Sequence, residues 1–529
     1  MGKGGARMTR STLIRALRAQ GIDVVEEAGG LVCLPLAQWL ASALIAKNEG
    51  CRLVDLWAMD DAALGGTFSV VAAFALSRRP PVVLCATLPE GVERFPSLTP
   101  TFPSAARLER AIRDLLGLIP EGHPDTRPWL LHVAPGHPER FHPLRCDAAA
   151  DALPPLISQR YPFLRVEGEG VHEIPVGPVH AGVIEPGHFR FQVIGEEILN
   201  LEERFGYLHR GIEKRMVGLT PVQGVKLATR QSGDAAVGMG WAFCRAVEKA
   251  LAVEIPPAAV WSRALLAERE RIANHVGDIG AICNDVAFSF MHMQTLKLRE
   301  EMARLHLEIF GHRLLFDQVI PGGVTRVPDA TQRQRLVEQT QAVAATMEQL
   351  RILMDDTPSL LTRLDGSGVV DSETAQSLGM LGYAGRASGV DADSRIAVAY
   401  APYHLHAPEG LVLHKGDVAA RVAIRFEEIA QSARLIAALV ADFPVEEGAA
   451  VELPQAESGM QGFALIEGWR GEIAAFVRFG AGGRIDRARL RDPSWFNWPG
   501  LELAVLGVPV PDFPLCNKSF NCAYAGHDG

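Results

Sequence analysis

GPVHAGVIEPGHFRF (177–191), LNLEERFGYLHRGIEKR (199–215) and KLATRQSGDAAVG (226–238) follow one another within about sixty residues. The first segment crowds glycine, proline, two histidines and a glutamate together, which excludes a plain helix or strand. The backbone must turn tightly there, and His180, Glu185, His188 and Arg190 are left to project. It reads as a functional loop. The second carries Ile198, Leu201, Phe205, Leu208 and Ile212 at steps of three and four, which predicts a helix with those side chains on one face. The third opens on Arg230, Gln231, Ser232, Gly233 and Asp234, a polar turn feeding an apolar helix that contains Trp241 and Val247. Taken singly, His180, His188 and Arg230 are most simply hydrogen-bonded structural residues. Their order and spacing make His180, Glu185, Arg230 and Asp234 the candidate site.

That order resembles the large subunit shared by energy-converting nickel-iron hydrogenases of the formate hydrogenlyase type and, as the forty-nine-kilodalton subunit, by respiratory complex I. GPVH followed by EPGHFRF is similar to the hydrogenase branch, and GYLHRGIEKRM to both branches. Towards the N-terminus the chain changes character. LVCLPL (31–36), AQWLASALIAK (37–47), CRLVDLWAMD (51–60), TFSVVAAFAL (67–76) and PVVLCATL (81–88) alternate strands with a helix, the pattern of a small α/β domain. It ends in a helix where Ala106, Glu109, Arg110, Arg113 and Asp114 flank the apolar Leu108, Ile112, Leu115 and Leu116. By itself this is a solvated face. The segment 95–131, with its EGHPD loop from Glu121 to Asp125, is similar to the end of the thirty-kilodalton complex I subunit, where helix and loop dock onto neighbouring subunits. Ala111 stands where that family has an acidic residue.

Ala- and Pro-rich sequence from Asp147 to Arg165 has no clear period and reads as a linker. The expected division is therefore a domain over 1–150, a linker over 151–168 and a large domain over 169–529, an α+β chain whose second part is mainly helical with peripheral β segments. With 529 residues, 48% hydrophobic and 22% charged, the chain is long enough for more than one core. A net charge of −10 argues against nucleic acid as a partner. MGKGGARMTR lacks the apolar core of an export signal. The longest uncharged run, Gly29 to Ala46, is split by Pro35 and too short to span a bilayer. Eight scattered cysteines suggest a reducing compartment.

Beyond the organising stretch, Pro257 to Cys283 reads as a long helix on which Glu268, Arg271, His275 and Asp278 make one polar stripe. An isolated stripe of this kind faces water. ERERIANH (268–275) resembles a segment that the family buries, which implies an internal ladder whose charges must be paired. Further helices are expected over about 289–318, breaking at Pro321-Gly322-Gly323, and over Thr331 to Asp355 with a polar face to solvent. GYAGRASGVDADSR (382–395) alone is a surface loop, but its likeness to the family's R-x-S-G-x-x-x-D-x-R loop implies that Arg386 or Arg395 points to the central cleft. In the following helix Asp417 and Arg421, four apart, are placed to pair. The C-terminal part reads as strands around IEGWRGEIAAFVRFG (466–480) and a turn-rich tail, DPSWFNWPGLELAV (492–505).

The nickel-iron centre of the hydrogenase branch needs two C-x-x-C pairs, because four soft thiolates hold the nickel. In register with Arg230, this chain has Ser232 and Ala235 at the first pair. Cys516, Cys522 and His527 near the end lack C-x-x-C spacing. A nickel-iron site is thus disfavoured, and no metal ligand is assigned. The complex I branch implies a quinone held by a histidine, matched by His180, and by a tyrosine at whose position stands Leu227; Arg386 is a further candidate for quinone contact. Quinone therefore remains a possible ligand, with half the donor pair gone. The resemblance implies a subunit of a membrane-associated oxidoreductase complex with a proton-coupling or structural role, or else a quinone-binding subunit, or an assembly scaffold. It also implies an iron-sulfur small subunit carrying the clusters, antiporter-like membrane subunits as partners, and a cytoplasmic position on the inner face of the membrane.

Overall fold

The computed structural model describes residues 12–76, 79–132, 141–148, 161–181, 184–445 and 448–529. Most of the predicted linker, 149–160, and the basic N-terminus, 1–11, lie outside the described residues. The chain is α+β, as expected.

The N-terminal region is built on a five-stranded sheet in the order Val25–Glu26, Leu31–Cys33, Val82–Thr87, Phe68–Ala75, Arg52–Asp60. One contact, Leu31–Cys33 with Val82–Thr87, is parallel and the others are antiparallel. The near-continuous apolar run FSVVAAFA is explained by burial on both faces. One face holds Val70, Ala72, Phe74 and Leu84 under the helices 12–19 and Trp39–Asn48. The other holds Trp57, Val71, Ala73 and Val83 against Phe463, Leu465, Ala474 and Phe476 of a C-terminal sheet, Gln461–Gly468, Gly471–Phe479 and Ile485–Arg491. Trp57 stacks on Phe463 with ring centroids 5.8 Å apart. Carboxylates and guanidinium groups fringe this sandwich, with Arg52 2.6 Å from Glu472 and Arg489 3.0 Å from Asp55.

The helix Ala106–Leu116 corrects the solvated reading of its charges, because Arg107, Glu109, Arg110 and Asp114 are all buried. Glu109 accepts from Ser97, Leu98 and Thr99, and Asp114 accepts from the backbone N–H groups of Trp129, Leu130 and Leu131. Arg107 reaches Glu203 and Glu502 of the large region at 3.0 and 2.8 Å. In the EGHPD loop His123 bonds to Ala106 O, and Asp125 pairs with Arg110 and Arg127.

Residues 197–212 are not the predicted helix. Glu197–Arg204 is a strand, paired with His188–Ile194 and through it with Val171–Val176; the only helix here is the short Ile212–Met216. A register shift between Ile198 and Asn200 accounts for the misreading. The extra residue of a bulge turns a period of two into a step of three, so Ile198 and Leu201 are both buried in a strand.

The central helix, Ala236–Ala250, packs against the C-terminal sheet, and the long helix, Pro257–Asp285, lies beside it. The helix expected over 289–318 ends at Phe310, where Gly311 takes the left-handed C-terminal position with φ 79°; Pro321-Gly322 turns a hairpin between Val319–Ile320 and Gly323–Val324. Ala330–Asp355 forms as expected. Residues 382–395 are not a surface loop: Arg386 and Arg395 are buried. Asp417 and Arg421 do not pair, because Asp417 is the N-cap of Val418–Ala441 and turns its carboxylate to Ala420 N. The tail expected to be turn-rich is the helix Ser494–Ala504, which keeps Pro499 inside and buries Trp495, Phe496 and Trp498.

Candidate functional site

A polar cavity of about 370 Å³ opens where the first loop, the RQSGD turn and the C-terminal segment meet. Its walls carry Glu185, Ser232, Asp234, Asp285, Arg470, Lys518 and Cys522. The loop ends earlier than expected, because His188 and Arg190 already belong to the strand His188–Ile194, and the loop side is held by His180 and by this first strand residue. His180 Nε2 lies 2.8 Å from Gly187 O and His188 Nδ1 lies 3.2 Å from Gly177 O. A carbonyl only accepts, so each of these nitrogens carries the proton. Gly177, at φ 76°, leaves no room for a side chain, since a Cβ would stand 2.1 Å from Gly187 O. The folded loop rests on Tyr524, and Glu185 Oε2 accepts from Ala525 N at 3.0 Å.

The RQSGD turn contributes Ser232 and Asp234. Arg470, from the tight turn between two strands of the C-terminal sheet, reaches both Asp234 oxygens at 2.7 and 2.5 Å, and Ser232 Oγ donates to Oδ1 at 2.8 Å. Burial would push the Asp234 carboxyl up, but the Arg470 guanidinium and the Ser232 hydroxyl outweigh it and hold it below the ordinary range. Burial raises Asp285, with Lys518 opposing, and burial keeps the Cys522 thiol protonated.

Two of the four predicted residues, Glu185 and Asp234, line this cavity together. His180 sits behind the wall as a loop staple. Arg230 points elsewhere, making a two-pronged pair with Asp317 at 2.6 and 2.7 Å in which both partners are over 40% exposed. It contacts neither Asp234 nor Glu185, so the four residues do not converge. Leu227 is not among the cavity-lining residues. Arg386 is also away from the walls, bound to Glu428 and Glu467 in the interior.

Cys516 packs against Gly368, apart from the cavity. His527 lies between Trp495 and Trp129; its Nε2 accepts from Trp129 Nε1 at 3.2 Å and its Nδ1 donates to Asp528 at 3.0 Å. Both ring nitrogens are engaged. Cys516, Cys522 and His527 therefore do not form one ligand set, and among the described residues no three His, Cys, Asp or Glu side chains are grouped to hold a metal.

Behind the cavity lies the buried ladder. Glu268 accepts from Arg395, Arg271, Tyr403 and Ser432. Glu428 receives Arg271, His275 and Arg386. Asp278 receives Arg425 and, at 2.7 Å, Asn521 of the cavity wall. Burial raises Glu428, but Arg386 and His275 hold it well below the usual carboxylate range; burial lowers His275, with Glu428 opposing. Sequence reasoning found the helix stripe and missed its partners, as well as Arg470 and Glu270. Glu270 had a signal: the central helix begins at Ala235 and Ala236, with no capping side chain of its own.

Comparison with known proteins accords with this architecture. Residues 32–152 match the model of the respiratory-chain NADH dehydrogenase 30 Kd subunit and residues 285–462 that of the 49 Kd subunit. The fold and these two matches define a complex I-related chain in which both modules are joined. Hydrogenase-4 component G of Escherichia coli is 31% identical over 487 residues, covering 89% of this chain and 83% of that protein. Formate hydrogenlyase subunit 5 of the same organism is 28% identical, covering 91% and 85%. The chain belongs to this family of fused hydrogenase and NADH dehydrogenase subunits. A chain from the membrane-bound sulfane sulfur reductase, an archaeal respiratory membrane complex, shares the fold at TM-score 0.64 and 24% identity, covering 68% of this chain and 99% of that one. No helix among the described residues is long and apolar enough to cross a membrane.

Proposed function

We propose that the chain is the hydrogenase-like large subunit of a membrane-associated, complex I-related oxidoreductase complex, that it works without a nickel-iron centre, and that its cavity serves proton coupling. The observation that carries this reading is the cavity wall: Ser232 is a lining residue, Ala235 caps the next helix, and Cys522 is the one cysteine among the described lining residues, beside Glu185, Asp234 and Asp285. One thiol and a hydroxyl do not fit a centre that needs four thiolates. The same wall suits proton exchange, since it combines a charged pair, a carboxyl raised by burial and room for water. Quinone binding is supported less, because neither His180, Leu227 nor Arg386 is among the lining residues, with His180 bonded to Gly187 O and Arg386 to Glu467. In this reading the chain is peripheral, on the cytoplasmic face; the EGHPD loop and the large region meet an iron-sulfur small subunit that carries the clusters, and antiporter-like subunits lie in the membrane.

Two measurements test it. Elemental analysis of the native complex should find no stoichiometric nickel, and one nickel per chain surviving dialysis against chelator overturns the metal-free reading. A Glu185→Gln variant keeps size and an accepting oxygen but cannot carry a proton. It should assemble normally and lose proton or ion transport. Weakened assembly with unchanged transport per assembled complex would assign Glu185 to holding the loop on the C-terminal segment; normal assembly with undiminished transport ends the relay role.

A further inference from the structure

Val237 and Gly238 are in the first turn of the central helix, where backbone N–H groups have no partner within the helix. The residue at the cap, Ala235, has no side chain to offer them. Both are met from outside. Glu270, on the long helix, accepts from Val237 N at 2.7 Å through Oε1 and from Gly238 N at 3.1 Å through Oε2. One turn further on, Asn274 Nδ2 donates to Asp234 O and to Glu270 O, both at 2.9 Å. Trp469 Nε1 donates to the same Asp234 carbonyl. The turn Ser232–Asp234, which lines the cavity, and the first helical turn that follows it are thus tied to the long helix at Asp234, Val237 and Gly238.

We infer that Glu270 is a proton-sensitive positioning residue for the cavity: as a carboxylate it clamps the start of the central helix, and on taking a proton from solvent it loosens the clamp and frees the Ser232–Asp234 turn. A carboxylate accepts on both oxygens, as the geometry requires. A protonated carboxyl has an O–H where Gly238 N–H, the longer of the two bonds, needs an acceptor. Glu270 is only 6% exposed, no ion pair among the described residues compensates it, and burial pushes it up to about 8. Asp234 on the turn opposes its ionisation and Arg271 on its own helix favours it, while Arg470, from the C-terminal sheet, is engaged with Asp234. Arg271 itself is shared among Glu268, Glu428 and the carbonyls of Glu467 and Gly468. The inference stands on the cap geometry and does not need the proton-coupling role to be right.

Hydrogen exchange on the full chain reads this directly, because the amides of Val237 and Gly238 are protected by Glu270 and not by helix bonds. After correction for intrinsic rates, their protection in the native protein should rise about tenfold between pH 6 and pH 9, the size expected for gaining a charged acceptor. Glu270→Gln should give low protection that does not change over that range. Equal protection at pH 6 and pH 9 in the native chain overturns the inference, as does a Gln variant that keeps the native pH profile. If the variant does not fold, the native profile alone decides.

Discussion

The ladder and the cavity are both polar interiors, they touch at Asn521, and they treat charge in opposite ways. Along the ladder Glu268, Glu428 and Asp278 each meet a guanidinium at hydrogen-bond distance, and their cations hold Glu268 and Glu428 below the ordinary carboxylate range against the effect of burial. In the cavity the Asp234–Arg470 pair is the one ion pair among the lining residues described, and Glu185, Asp285 and Lys518 face open space. The difference separates two uses of buried charge. Saturated pairs specify a packing and leave no proton free to move, whereas groups left short of partners keep their chemistry at a cost in stability. Substitutions should therefore be expensive to folding in the ladder and cheap in the cavity.

The largest effect is expected at Glu428. Alanine there leaves Arg386 and Arg271 buried without their shared carboxylate, which costs about 3–5 kcal/mol for broken buried pairs. Denaturant unfolding of the isolated chain measures it. A loss below about 1 kcal/mol would mean that the ladder is not structural, and the contrast with the cavity would collapse.

Next comes the pH dependence set by Glu270. Its folded-state value, about 8, lies above the ordinary 4.5, so the folded chain binds that proton more tightly than the unfolded one. Against global unfolding, which carries Glu270 into water, the stabilising contribution is complete below about pH 4.5 and is lost as pH rises through 8, whereas the local clamp, whose two bonds break with Glu270 still buried, tightens as the side chain ionises. Relative to Glu270→Gln, the native chain should lose about 2–4 kcal/mol between pH 5 and pH 9, at roughly 1.4 kcal/mol per unit. Comparing the two chains cancels the histidines and other carboxylates. A difference that is flat with pH would place Glu270 with the saturated ladder.

How far all this was legible follows from sequence distance. The strands 52–60, 68–75 and 82–87 announced themselves by composition, and the stripe Glu268, Arg271, His275, Asp278 by helical spacing, because both signals are local. Glu428, Arg386, Arg395 and Arg470 are over a hundred residues from the helix stripe or turn that they serve, and no periodicity connects them. The strand Glu197–Arg204 was misread because its bulge mimics a helical step. Arg230 was placed in the site by its neighbours in sequence, yet Asp317, held in the left-handed region at φ 60°, captures it at the surface. Loop chemistry was visible and loop direction was not.

A smaller effect is expected at Asp234. Changing it to Asn keeps one acceptor for Arg470 and removes the charge, but Arg470 borders a cavity with room for water, from which it can recover part of the loss. About 1.5 kcal/mol is the scale for a hydrogen bond to a charged group. A loss as large as that of Glu428→Ala would show that the turn belongs energetically to the ladder.

The smallest effect on folding should fall on Glu185. Glu185 is exposed and, among the described residues, its carboxylate accepts from Ala525 N, a bond that a glutamine oxygen can replace at the same length. Its loop is secured independently by His180, His188 and the Gly187 N to Pro178 O bond. Glu185→Gln should therefore change unfolding free energy by no more than about 0.5 kcal/mol, the range of substitutions that disturb no packing. On this contrast the ladder is expected to need its charges in order to fold, and the cavity is not. If Glu185→Gln destabilises the chain by 2 kcal/mol or more, on the scale of a buried charged hydrogen bond, the carboxylate is holding the first loop to the C-terminal segment as a structural clasp. If folding is untouched while transport in the assembled complex is lost, the cavity is the part of this interior that was left unsaturated for use.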